Sequence, residues 1–300
     1  MPATRPVIET DPDRTRVRVH ALREYFDANV FEPSENLFRC SRYLQGSNGL
    51  GCKCSAKAAA PNGDFYRGQL HHVGDHFDTF VDDKPLRIVV LGMSYGTSHE
   101  YHTLEKRTEM IRDNGQYCRA RGASDDFPAR NPHMSGTTYA LRCVYGLDLD
   151  QLAQETENIP TGDGLSVHLF ETFSLMNFLL CSATLNGSMR DNSTPQMRAN
   201  CVAHLRRALE ILQPTLIISQ GFKSAIQEGL VLGDAEFFPE GGDHVSVKKL
   251  LLRNESAILV LGPHPSRGDK LGYGKSPKNA FLRDVLRPAI ERAVQMSFDL

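Results

Sequence analysis

Four apolar runs organise the chain beyond residue 84: LRIVVLGM (86–93), a stretch ending in MNFLLC (176–181), PTLIISQG (214–221) and SAILVLG (256–262). Each is unbroken rather than alternating, the pattern of a strand buried on both faces. Segments of helical spacing separate them. HEYHTLEKRTEMIRDNG (99–115) reads as a helix closed by Gly115, and TTYALRCVYGL (137–147) as another. STPQMRANCVAHLRRALEILQ (193–213) has Ser193 or Thr194 as N-cap and Pro195 in its first turn. GFKSAIQEGLV and PKNAFLRDVLRPAIERAVQM complete the helices, and HVSVKKLLLRN (244–254) reads as an edge-like β segment. Strands alternating with helices predict an α/β fold: a three-layer α/β/α domain over 84–300 with a central four-stranded parallel sheet. Residues 1–83 read as a loop-rich N-terminal extension with one amphipathic helix, VRVHALREYFDANVF, and a cysteine loop.

Composition narrows the class. Three hundred residues with 40% hydrophobic and 23% charged content describe a soluble globular chain. No apolar run approaches the roughly 20 residues of a membrane span. The N-terminus MPATRPVIETDPDRTRVR has no apolar signal core, so the expectation is a cytoplasmic protein without a membrane partner. A net charge of -2 neither requires nor excludes nucleic acid. Local patches matter more, and two are basic: MRDNSTPQMRANCVAHLRR (189–207) and SRGDKLGYGKSPKNAFLR (266–283).

The seven cysteines, with no signal peptide, are buried apolar groups or metal ligands rather than a disulfide framework. Cys118 and Cys143 sit singly in helical surroundings and read as structural. Cys40, Cys52 and Cys54 lie in a Gly/Ser-rich loop, and Cys181 and Cys201 bracket a second polar loop. Four of these five would make a tetrathiolate site, although the spacing matches no zinc-finger pattern.

In a doubly wound sheet the carboxyl ends of the buried strands converge on one edge, where ligands bind. Those ends read GMSYG (92–96), NFLLC (177–181), SQGFKSA (219–225) and GPHPSRG (262–268). Asn177 stands in an apolar strand, where an amide must find partners or cost about 1 to 3 kcal/mol. His264 is held between Pro263 and Pro265. Taken alone it is an ordinary loop histidine, but at a strand end it is a candidate for chemistry.

Together, these segments resemble the uracil-DNA glycosylase superfamily, in particular its iron-sulfur branches, families four and five. GMSYG is similar to the first motif, Gly-x-Asp/Asn/Ala-Pro-Tyr/Gly. NPHMSGTTYALRCVYGL is similar to the segment in which a Pro-Phe pair precedes Gly and a helix ending in Gly-Leu. NFLLC resembles the Asn-x-x-x-Cys strand end, MRDNSTPQMRANC and the following PTLIISQG resemble the Asn-Arg-x-Pro-Thr, Cys and Gly-ended segment, and HPSR matches the His-Pro-Ser second motif. The resemblance spans about residues 84 to 295, with long insertions.

The resemblance implies an enzyme, a DNA glycosylase that hydrolyses the N-glycosidic bond of a flipped uracil or modified pyrimidine and leaves an abasic site. His264 would donate a hydrogen bond to O2 of the departing base, and Asn177 would read N3 and O4. Gly92, Met93, Ser94, Tyr95 and Gly96 would line the pocket, with Ser94 at the water-positioning place. There the fastest branches carry Asp or Asn, and His99 and Glu100 stand nearby. His133 and Met134 occupy the place of the family's stacking aromatic, and Tyr95 replaces its usual proline. Ser266, Arg267 and Lys270 would enter the groove and grip phosphates, extended by Lys275 and Lys278. Four of Cys40, Cys52, Cys54, Cys181 and Cys201 would hold a 4Fe-4S cluster, with Cys181 and Cys201 matching the family's second pair. DNA is the implied partner, with no obligate protein partner, in base-excision repair or antiviral defence. Three rival readings are a glycosylase for a hypermodified phage cytosine, a module that binds damaged DNA without turnover, and a hydrolase of free nucleosides.

Overall fold

The computed structural model describes residues 6–32, 37–38, 63–66, 68–94, 102–185, 193–221, 230, 232–237, 244–253 and 255–300. Helix α1 (Pro12–Asn29) starts at Asp11, whose carboxylate accepts the Arg14 N–H at 2.9 Å. Its buried residues Thr15, Arg18, Leu22 and Phe26 recur at helical spacing and form one inward stripe. The main sheet begins with the short strand β1 (His72–Val73), followed by β2 (Ile88–Gly92). Helices α2 (Leu104–Tyr117) and α3 (Pro132–Val144) lead to β3 (Phe173–Asn177). Helix α4 (Pro195–Leu212) and strand β4 (Leu216–Gln220) precede β5 (Leu232–Phe237), β6 (Ser246–Leu251) and β7 (Ser256–Gly262). Helix α5 (Arg287–Ser297) closes the chain.

The sheet has seven strands in the order β5-β6-β7-β4-β2-β3-β1. The four apolar runs of the sequence are four of its five inner strands, β7, β4, β2 and β3, which are mutually parallel. The expected four-stranded parallel sheet is nevertheless corrected to a larger mixed one, because β6 and β5 extend one side antiparallel and β1 the other. The link from β6 to β7 explains part of this. Only four residues separate Leu251 from Ser256, with the Leu252 N–H bonded to the Glu255 carbonyl at 2.8 Å. A parallel crossover needs a dozen or more. HVSVKKLLLRN is likewise no edge, since β5 pairs outside it.

Alternate residues of each inner strand enter different cores. Ile88, Val90, Ile218 and Val260 join α3 and α5 on one face, while Val89, Leu91, Ile217 and Leu259 join α1 and α4 on the other. Helical layers thus cover both faces. Residues before Lys84 belong to the second of these cores through Leu22, Phe26 and Val73. Arg18 ties them down, donating from Nε to both Asp78 carboxylate oxygens at 3.0 and 3.1 Å and from Nη1 to the Ile211 carbonyl at the end of α4.

One expected boundary holds and two move. Helix α4 is capped by Thr194, as one of the two expected N-caps. Helix α2 continues through Gly115, whose missing side chain leaves the space that His168 fills; a Cβ there would stand 2.8 Å from its ring. Helix α3 starts at Pro132, five residues earlier than the TTYAL pattern suggested, because Asn131 caps it by accepting the Met134 N–H at 2.9 Å. The GFKSAIQEGLV segment lies almost wholly outside the described residues. Among the described residues, no helix is long and apolar enough to cross a membrane.

Candidate functional site

The parallel strands reverse direction of winding between β2 and β4, and ligands of open α/β sheets bind outside the carboxyl ends at such a switch point. A cavity of about 610 Å³ opens there. Of the residues singled out in the sequence, Gly92, Met93, Ser94 and Asn177 line it from the ends of β2 and β3. His133 and Met134 line it from the first turn of α3, and His264 and Ser266 from the loop after β7. Gly92 is the point of closest convergence. A Cβ there would lie 3.1 Å from Asn177 Oδ1 and 3.7 Å from His133 Nε2. Asn177 is only 7% exposed, so its amide faces this cavity rather than bulk water.

The position of His133 is set from beneath. Arg130, fully buried with Glu157, pairs with that carboxylate at 2.7 Å and donates to Thr138 Oγ1 and to the Gly115 carbonyl, both at 3.0 Å. Its guanidinium also stands 4.7 Å from the Phe170 ring centre. This satisfies a charge that would otherwise be too expensive to bury, and fixes the residue just before the cap of α3. From the sheet side, the Gln220 amide donates to Thr137 Oγ1 at 3.1 Å, and Thr137 donates to the His133 carbonyl at 3.1 Å.

His264 is held with equal firmness. The Ser266 N–H donates to His264 Nδ1 at 3.1 Å, so a neutral ring carries its proton on Nε2. The loop is pressed onto α3 because Gly136 has no side chain: a Cβ would come within 2.4 Å of Pro265 Cβ. The Gly274 N–H bonds the Pro265 carbonyl at 3.0 Å. As a result the rings of His133 and His264 stack, with centres 5.3 Å apart and planes at 21°. Desolvation, then the neighbouring His264 and Arg107, lowers the His133 pKa to about 3, and desolvation also lowers that of His264. Both rings are neutral at physiological pH.

Arg267 and Lys270 do not line the cavity. They are exposed on the loop beyond it, where Arg267 Nη2 pairs with Asp269 at 2.6 Å. Tyr95, Gly96, His99 and Glu100 lie outside the described residues, as do Cys40, Cys52 and Cys54. Cys181 and Cys201 are both buried in the apolar core between the sheet and α1 and α4. They are the two of the five candidate ligands that lie among the described residues, where no three metal-ligating side chains come together. Cys143 is buried in the other core, where desolvation pushes its thiol up to about 12, as befits a structural cysteine.

Several lining residues were not singled out in the sequence. Arg107, Met110, Ile111 and Asn114 form one face of α2, and Gln69, Ser182 and Thr184 complete that side. The α2 face was visible in principle, since positions 107, 110, 111 and 114 share a helical stripe that an Arg and an Asn interrupt. Gln69, in RGQLHHVGD, sits in no periodic pattern. Among the described lining residues Arg107 carries the permanent charge, and no carboxylate is present. Such a site can stabilise negative charge and read a polar ligand edge; it has no described carboxylate to act as general base. No protein-family model matches the chain, and no curated protein matches it either.

Proposed function

We propose that the protein is a DNA glycosylase that removes a flipped uracil or modified pyrimidine and leaves an abasic site. The observation that carries this reading is the meeting, in one cavity at the switch point, of Asn177, His264 and His133 around Gly92. A flipped base needs a reader for its pairing edge and a donor for the charge it leaves with. The Asn177 amide both donates and accepts, matching N3–H and O4. His264 offers Nε2–H to O2. As the bond between C1′ and the ring nitrogen breaks, its electron pair departs on the base. His264 stabilises the resulting negative charge at O2, and Arg107 adds a favourable field. Water then adds to C1′, and its proton ends on the released base. Stabilisation of the leaving base by His264 and Arg107 is the rate contribution assigned to the described residues, and Ser94 serves to place the water.

The exposed Lys270, with Lys275 and Lys278, belongs to this reading as a phosphate contact. A 4Fe-4S cluster held by Cys181, Cys201 and two of Cys40, Cys52 and Cys54 belongs to it as a staple of the DNA-facing loops. When bound, it supplies structural cross-linking rather than chemistry. Visible iron-sulfur absorption in anaerobically purified protein, lost in Cys181→Ser, is the expected sign.

The test is release of free base, read by mass spectrometry, from single- and double-stranded DNAs carrying uracil or modified pyrimidines. Release that disappears in His264→Ala supports the proposal. Tight binding without release would sink it in favour of a binding module, and release from free nucleosides alone would sink it in favour of a nucleoside hydrolase.

A further inference from the structure

The side of the cavity away from His264 carries polar groups with nothing to bond. Gln69 is 1% exposed, and neither atom of its side-chain amide has a hydrogen-bond partner. Thr184 is 2% exposed, and its hydroxyl is also unpartnered. Both residues line the cavity. Buried polar atoms in folded proteins are almost always satisfied, and each one left without a partner costs about 1 to 3 kcal/mol. Their backbones are not at fault, since the Gln69 N–H donates to the Leu180 carbonyl at 3.0 Å and Thr184 is paired in a strand ladder with Asp64. Only the side chains wait for a ligand.

Sheet order fixes where this group lies. Along the row of strand ends, His264 follows β7, Gly92 ends β2 and Asn177 ends β3. Next comes β1, which runs antiparallel to β3, so the residues just before His72, Gln69 among them, lie beside the carboxyl end of β3. Asn177 therefore stands between His264 and Gln69. In a pyrimidine, carbon 5 is directly opposite carbon 2. With O2 at His264 and the N3–O4 edge at Asn177, a group on carbon 5 projects toward Gln69.

Resting on the glycosylase reading above, we infer that Gln69 and Thr184 form a subsite for a hydroxyl-bearing substituent on carbon 5 of the excised pyrimidine. An amide and a hydroxyl each donate and accept, and so does an alcohol. An apolar methyl would leave both side chains unsatisfied. The size of the cavity, about 610 Å³, is also well beyond a bare pyrimidine ring.

The experiment uses the full-length protein and four DNAs with one ring edge in common: uracil, thymine, 5-hydroxymethyluracil and its glucosylated form. Excision rates under kcat/KM conditions are expected to favour one of the hydroxyl-bearing bases over uracil by about tenfold or more, with thymine poorest. Gln69→Leu and Thr184→Val, close in size to the native residues, are each expected to bring that ratio toward one, with a thermal melt to verify folding. The wild-type ratio needs no variant. Uracil released as fast as, or faster than, both hydroxyl-bearing bases overturns the subsite and leaves the glycosylase standing. A preference that survives both folded variants assigns it to other residues and also overturns the subsite. No release from any of the four overturns both.

Discussion

The two ends of the cavity are built to different standards. At the His264 end, Nδ1 of the ring has its donor, the second ring is stacked on it, and the loop is pressed against α3 with no space between Gly136 and Pro265. At the Gln69 end, buried amide and hydroxyl groups have no partners at all. The difference separates two tasks. Groups that stabilise charge in a transition state act best when nothing must reorganise, so their surroundings are complete in advance. Groups that recognise a ligand gain selectivity by being incomplete until the right one arrives, because a wrong ligand leaves them unsatisfied.

The largest effect should come from the finished end. His264→Ala is expected to lower kcat by about 100- to 1000-fold, the range for loss of one preorganised donor, with little change in KM. A loss confined to KM in steady-state kinetics would show that the two ends do not divide the work. Next comes the packing that completes this end. Gly136→Val should destabilise the protein by about 1 to 3 kcal/mol in urea unfolding and separate the two stacked rings. Unchanged stability together with unchanged kcat would show that the clamp is dispensable.

Acid tests both ends more gently. Burial lowers the pKa of His71 and His133 to about 3 and of His72 to about 4, from an ordinary 6.5. Below pH 6.5 the unfolded chain takes up protons that the folded one refuses, so stability is full above that value and falls as pH drops toward 3 to 4. Denaturant titrations across that window should show the decline. For activity, the desolvation that lowers the pKa of His264 should put any inflection of kcat from this ring on the acid side of pH 6.5. An inflection above pH 6.5 that disappears in His264→Ala would contradict the desolvated ring. The smallest expected effect lies outside both ends: Lys270→Ala should weaken DNA binding uniformly and reduce the slope of log K against log salt by about one.

Much of this was legible in the chain itself. All four parallel strands, the cap at Thr194, and the meeting of Gly92, Asn177 and His264 follow from unbroken apolar runs, capping chemistry and the rule that parallel strand ends share an edge. Of the antiparallel strands only β6 was read as a strand, and as an edge, because a short amphipathic segment such as SVKKLL carries no mark of what pairs beyond it. Gln69 was hidden for a related reason. Its place depends on β1, two residues long and paired antiparallel to β3, and no local pattern can announce a partner about a hundred positions away. The α2 stripe shows the intermediate case: its spacing was visible, while the surface it faces was not.

The contact of Gly136 with Pro265 also bears on where motion can occur. A loop locked to a helix by backbone-level contact, with that helix anchored through Arg130 to a buried carboxylate, has no slack with which to close over a ligand. In the proposed reaction the stiff partner is the protein and the compliant one is the nucleic acid. Whatever bending and unstacking the encounter requires is drawn from the DNA, so a weakly stacked base should reach the site soonest.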